Sequence, residues 1–97
     1  MIIKGKIYPE NLFRKVYEFN GEKIKVKHFV VRTTLPENPF APHKHEQEEL
    51  WYIIEGSAVY IEDGMKHNVE AGDLIQINPW VLHGMQTEKS IVWICLG

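Results

Sequence analysis

Hydrophobic residues in this chain recur in short runs of period two, broken by Gly, Pro, Asn and Asp at intervals that suit strands rather than helices. Phe13 to Phe19 alternates loosely and leads into Asn20-Gly21, a pair that tolerates the positive φ of a two-residue hairpin. Beyond it, Ile24, Val26, His28 and Val30 share one face of a predicted strand, and Phe29 and Val31 share the other. Leu35 to Pro42 contains Pro36, Pro39 and Pro42, which break sheet pairing and predict an ordered, irregular loop. After His43 to Glu49 comes an apolar strand, Leu50 to Ile54, stopped at Gly56. Further strands are expected at Ser57–Glu62, Met65–Val69, Leu74–Ile77, His83–Thr87 and Ser90–Leu96, with Asp63-Gly64 as a second hairpin signal. Pro9-Glu10-Asn11-Leu12 is the one helical hint, a single turn at most. Seven to nine short strands imply an all-β protein, an antiparallel β-barrel or two-sheet jelly roll. With no linker, repeat or low-complexity tract, residues 1–97 read as a single domain.

Composition narrows the function classes. A net charge of −2 argues against a nucleic-acid partner, which needs a concentrated basic face. No apolar run approaches the length of a membrane span, and Met1-Ile2-Ile3-Lys4 lacks the apolar stretch of a secretory leader. The single cysteine, Cys95, excludes an internal disulfide framework and points to a reducing cytoplasm.

The densest polar cluster is His43-Lys44-His45-Glu46-Gln47-Glu48-Glu49. Residues two apart on a strand point the same way, so His43 and His45 would present both imidazoles to one side. Glu49 joins them if the backbone stays extended. Two imidazoles and a carboxylate suit Fe, Mn, Ni, Cu or Zn. On these residues alone a second reading stays open, a charged surface loop with two incidental histidines.

The wider spacing adds a resemblance. His43-x-His45, three residues, Glu49, six residues and Gly56 is similar to the first motif of the cupin superfamily (about residues 43–56). Fifteen residues later, Gly72-Asp73 through His83 resembles the second (about residues 72–87). That resemblance implies a small β-barrel in which His43, His45, Glu49 and His83 coordinate one divalent transition metal. Four donors leave open positions on an octahedral ion, for water, oxygen or substrate. The motifs also depart from the family pattern. Glu37 stands where a glycine precedes the first histidine, Asn78 replaces a proline, Trp80 a glycine and Thr87 an asparagine. Glycine at the Trp80 position implies a positive φ, which tryptophan resists.

By strand alternation, Trp51 and Ile53 follow Glu49 inward, and Met85 follows His83. Trp51, Met85 and the loop residue Trp80 are candidates for lining a small-molecule pocket; Trp51 and Met85 are equally suited to filling the barrel, and Trp80 to a dimer contact. His28 reads as a hydrogen-bonded core histidine and His67 as solvated. Cys95 has no close charge to activate it as a nucleophile. The resemblance also implies a homodimer, for which the apolar start Met1-Ile2-Ile3 offers a strand to a partner's sheet. Three functions follow from it: a metal-dependent enzyme of dioxygenase, decarboxylase or isomerase type; a non-catalytic binder of a sugar or carboxylate; or a barrel with a structural metal.

Overall fold

A computed structural model describes residues 3–18 and 25–97. Asn20-Gly21, Ile24, Met1 and Ile2 lie outside the described residues. Within them are nine strands and no helix: β1 (Lys6–Tyr8), β2 (Asn11–Tyr17), β3 (Phe29–Thr34), β4 (Phe40–His43), β5 (Glu49–Glu62), β6 (Met65–Glu70), β7 (Leu74–Ile77), β8 (His83–Gln86) and β9 (Ile91–Leu96). All pairings are antiparallel. One sheet runs β1-β2-β3-β9-β5-β7 and the other β6-β5-β8-β4, with β5 belonging to both. The result is a strongly curled two-sheet roll.

The length of β5 explains how one strand serves two sheets. Trp51 and Ile53 are fully buried, and Ala58 and Tyr60 further on are buried too, so the inward parity changes between them. The register against β9 slips between Ile53 and Glu55, and Gly56 then takes φ +89°. This bulge turns the strand and flips which side chains face in. Gly56 is therefore a corner inside one strand, where the sequence pattern predicts the end of one strand before the next.

Three other expectations are corrected. Pro9 and Glu10 form the β1–β2 turn and Leu12 lies in β2, so no helical turn forms. The proline-rich loop ends at Pro39, because Phe40 to His43 pair with β8. Pro42 is tolerated there beside an irregularity in the pairing, where a ladder donor is dispensable. The chain leaves β4 at His43, so His45 is positioned by a loop rather than by strand alternation. The Asp63-Gly64 hairpin forms as expected, both residues at positive φ (49° and 83°).

The core fills the space between the two sheets. Trp51 sits at its centre: its ring lies 4.1 Å from that of Trp93, 5.3 Å from Phe40 and 5.8 Å from Tyr60. Trp93 satisfies its indole N–H by donating to Thr34 Oγ1 at 3.0 Å. Thr87, in place of the expected asparagine, donates its hydroxyl to the Ser57 carbonyl at 2.8 Å and ties β8 to the β5 corner.

Candidate metal centre

The loop from Asn78 to Leu82 positions two of the four candidate residues. Trp80 adopts φ +65°, so the turn keeps the geometry of a glycine although it carries an indole. Its N–H donates to the His45 carbonyl at 2.8 Å, which fixes the backbone of the β4–β5 loop. Asp63 clamps the far side: its N–H donates to the Leu82 carbonyl at 2.8 Å and its Oδ1 accepts from Leu82 N–H at 3.0 Å. A left-handed backbone costs a residue with a Cβ roughly 1–2 kcal/mol. The Trp80 side chain is 61% exposed and recovers little by packing. Trp80→Gly is therefore expected to stabilise the fold by about 0.5–1 kcal/mol, after glycine's extra unfolded-state entropy is subtracted. Urea titration checks this; a lower midpoint would mean that the indole makes contacts worth more than the strain.

From these supports His43, His45 and His83 converge. Each offers a ring nitrogen within 4.8 Å of the others, and their ring centroids are 4.4, 4.8 and 5.4 Å apart. His83 is fully buried and His43 exposed, so the cluster spans from core to solvent. Glu49, at the start of β5, presents Oε1 at 3.3 Å from His45 Nε2 and 3.7 Å from His83 Nε2. The Trp51 indole N–H donates to that same oxygen at 3.2 Å and sets the carboxylate's orientation.

The protonation states suit a metal. The His83 Nδ1–H donates to the Val81 carbonyl at 2.7 Å, which leaves Nε2 as the bare lone pair, buried and without a partner. Burial holds the His83 imidazole below its ordinary 6.5, and the neighbouring imidazoles push the same way. His45 Nδ1 is likewise buried and unpartnered. Buried orphaned nitrogens cost free energy unless something binds them. Three imidazoles and a carboxylate match the donor set of a divalent transition metal.

The pocket candidates fall in different places. The Trp51 ring lies 5.3 Å from that of His83 and walls the cluster from the core side. Met85 is buried between Phe40 and Tyr60 of the flanking strands. Trp80 lies on the outer surface, joined to the site through its backbone. None of the three lines the groove of about 850 Å³ along β5 and β6, which shares no residue with the histidine cluster. His67 is exposed on β6, as expected. Phe40, whose ring lies 4.8 Å from His43 and 5.3 Å from Trp51, closes the site on a side where local composition predicts a loop. Its place between prolines concealed it, since only the pairing with β8 turns it inward.

The sequence profile of the cupin domain (Cupin_2) matches residues 31–97. No curated protein matches the chain. Solved structures similar to it include an RmlC-like cupin from Shewanella frigidimarina, at 24% identity and TM-score 0.73, covering 86% of this chain and 71% of that one. A predicted oxalate decarboxylase from Thermotoga maritima is similar over 97% of this chain and 90% of its own, at 18% identity and TM-score 0.72. A cupin-2 domain protein from Rhodospirillum rubrum reaches TM-score 0.76 at 17% identity, covering 97% and 68%.

Proposed function

Because the chain belongs to the cupin family, we propose that it is a small metal-dependent enzyme whose His43, His45, Glu49 and His83 hold one divalent transition metal beside a small-molecule substrate. The observation that carries this reading is His83, a fully buried imidazole whose Nδ1 is committed to Val81 and whose Nε2 faces the other donors with no partner. When bound, such an ion supplies Lewis acidity or redox chemistry at its open positions. The chain's own residues do the rest. The Val81 carbonyl fixes the His83 tautomer, and the Trp51 indole orients Glu49. The rings of Phe40 and Trp51 exclude water from the inner side, while the exposure of His43 leaves the outer side open to a small molecule. A purely structural ion would favour a closed shell, which this open side argues against. No described helix is long and apolar enough to cross a membrane, and the free, buried Cys95 fits a reducing cytoplasm.

Elemental analysis of tag-free protein, expressed without added metal, tests the reading. Near one equivalent per chain of Fe, Mn, Ni, Cu or Zn is expected; under about a tenth, persisting after metal soaking, would overturn it. Oxalate, the acid in the name of the similar Thermotoga protein, starts the substrate screen of the loaded protein. Binding of a sugar or carboxylate without turnover would replace the enzyme by a ligand-binding cupin.

The same chain forms a homodimer in this reading. The outward face of the larger sheet is apolar where a solvated antiparallel sheet is ordinarily polar. Val31, Ile94, Tyr52 and Leu74 form one continuous cross-strand row, and Phe29, Leu96 and Leu50 stand beside it. Leu50, Tyr52, Ile54 and Leu74 are 39–62% exposed, enough to cover with a second copy. Within the chain β1 pairs with its own β2. Light scattering on wild type and Tyr52→Glu is expected to give a dimer and a monomer; a monomeric wild type would end the assignment.

A further inference from the structure

Next to the histidine cluster, on its β3–β9 side, lies a second group of donors that the reading above does not use. His28, just ahead of β3, Cys95 of β9 and Glu49 of β5 each offer one ligand atom within 4.8 Å of the others. His28 Nε2 stands 3.3 Å from Cys95 Sγ and 3.9 Å from Glu49 Oε2. The backbone holds the three in place. Both Lys27 N–H and His28 N–H donate to the Gly97 carbonyl, at 2.8 and 2.9 Å, and Gly97 N–H donates back to the His28 carbonyl at 3.0 Å. A Cβ at Gly97 would stand 2.9 Å from the Glu48 carbonyl oxygen and 3.2 Å from Glu49 Cγ, so glycine keeps the space that the carboxylate occupies. Cys95 is buried at 3% exposure, whereas His28 is about one-third exposed, which provides a way in from solvent.

The Glu49 carboxylate divides its two oxygens between these groups. Oε1 faces His45 and His83, and Oε2 faces His28. We propose that His28, Cys95 and Glu49 form a second metal site, selective for a thiophilic divalent ion such as zinc, cobalt or cadmium, with Glu49 bridging it to the three-histidine centre. One nitrogen, one sulfur and one oxygen donor make three sides of a tetrahedral site and leave the fourth for water or a ligand. Burial and the Glu49 charge keep the free thiol protonated, so the ion displaces that proton to solvent as the metal–sulfur bond forms, with no change of oxidation state. The thiolate gives this site a softer character than the histidine–carboxylate centre, and the two therefore differ in metal preference. The proposal shares Glu49 with the function proposed above but does not depend on the three-histidine centre being filled.

Cobalt(II) titration of the metal-free protein separates the two sites, because only the second contains sulfur. In wild type, a near-ultraviolet thiolate-to-cobalt charge-transfer band is expected, together with up to two equivalents of bound cobalt and release of the Cys95 proton. Cys95→Ser should abolish the band and retain the other equivalent. His28→Ala, at a half-buried position the fold tolerates, should weaken the band's apparent affinity by about tenfold or more. His45→Ala should lose the histidine-site equivalent and keep the band. If saturating cobalt gives no thiolate band in wild type, or His28→Ala leaves it unchanged, the site does not exist and Cys95 is a core side chain. If His45→Ala removes the band as well, Cys95 belongs to a single mixed centre and the two-site proposal is overturned. A thiolate band without any equivalent sensitive to His45→Ala would instead sink the three-histidine reading and leave this one standing.

Discussion

His45→Ala is expected to lower the metal held at the three-histidine centre from about one equivalent to less than about a tenth, the largest functional effect among single substitutions in the chain. The residue contributes one of three converging imidazoles, and its Nε2 also stands 3.3 Å from Glu49 Oε1, so truncation removes a donor and the carboxylate's neighbour together. His45 is the informative choice among the histidines because its side chain is 29% exposed, whereas that of His83 is fully buried. Losing His83 would open a cavity beside Trp51 and confuse metal loss with unfolding. His67→Ala, an exposed histidine on β6, is the matched control and should bind metal as wild type does. Elemental analysis by mass spectrometry on both variants decides the matter: unchanged stoichiometry in His45→Ala would remove it from the ligand set.

Gly56→Ala is the substitution expected to cost most in stability. Its backbone lies at φ +89°, strained for any residue with a side chain by roughly 1–2 kcal/mol. A Cβ at this corner would also drive into the Ser90 carbonyl oxygen and press on Ile91 Cα at 3.2 Å. These are backbone atoms of the neighbouring strand and cannot swing aside as a flexible side chain would. Overpacking of that kind adds about 1–3 kcal/mol. The sum, about 2–5 kcal/mol, is a large part of the 5–15 kcal/mol typical of a whole domain. Gly64→Ala isolates the two causes, since Gly64 has φ +83° but open space around its missing Cβ. Urea unfolding should show Gly56→Ala losing clearly more than Gly64→Ala. Equal losses would mean that the Ser90 contact relaxes and that the bulge is not a pinch point between β5 and β9.

Both predictions concern residues that the sequence marked for different reasons. His45 stood out through its spacing from His43 and Glu49, a pattern set by chemistry and readable without coordinates. Gly56 stood out as a strand terminator, yet it sits inside the longest strand, because a bulge and a glycine corner let one segment serve two sheets. Period-two alternation cannot show this: the phase change between Ile53 and Ala58 looks the same whether the chain stops or bends. Phe40 and Pro42 were hidden for a related reason. Local composition predicts an irregular loop there, and only the non-local partner β8 converts it to strand. Trp80 shows tertiary structure overruling local preference outright, since the hydrogen bonds of the turn hold a tryptophan at positive φ.

The all-β class, the hairpin at Asp63-Gly64 and the motif spacing that makes His43, His45, Glu49 and His83 candidates were legible in the chain before any coordinates. Turn chemistry and side-chain periodicity are local properties of a few consecutive residues. Folding brings the Trp51 indole onto Glu49, sets the His83 tautomer through Val81, and places His28 and Cys95 beside the Glu49 carboxylate that also faces His45 and His83. The first two contacts join residues two apart, whereas His28 and Cys95 are 67 residues apart in the chain. Their geometry is set by how two sheets curl around a common strand, a long-range outcome that no stretch of sequence contains.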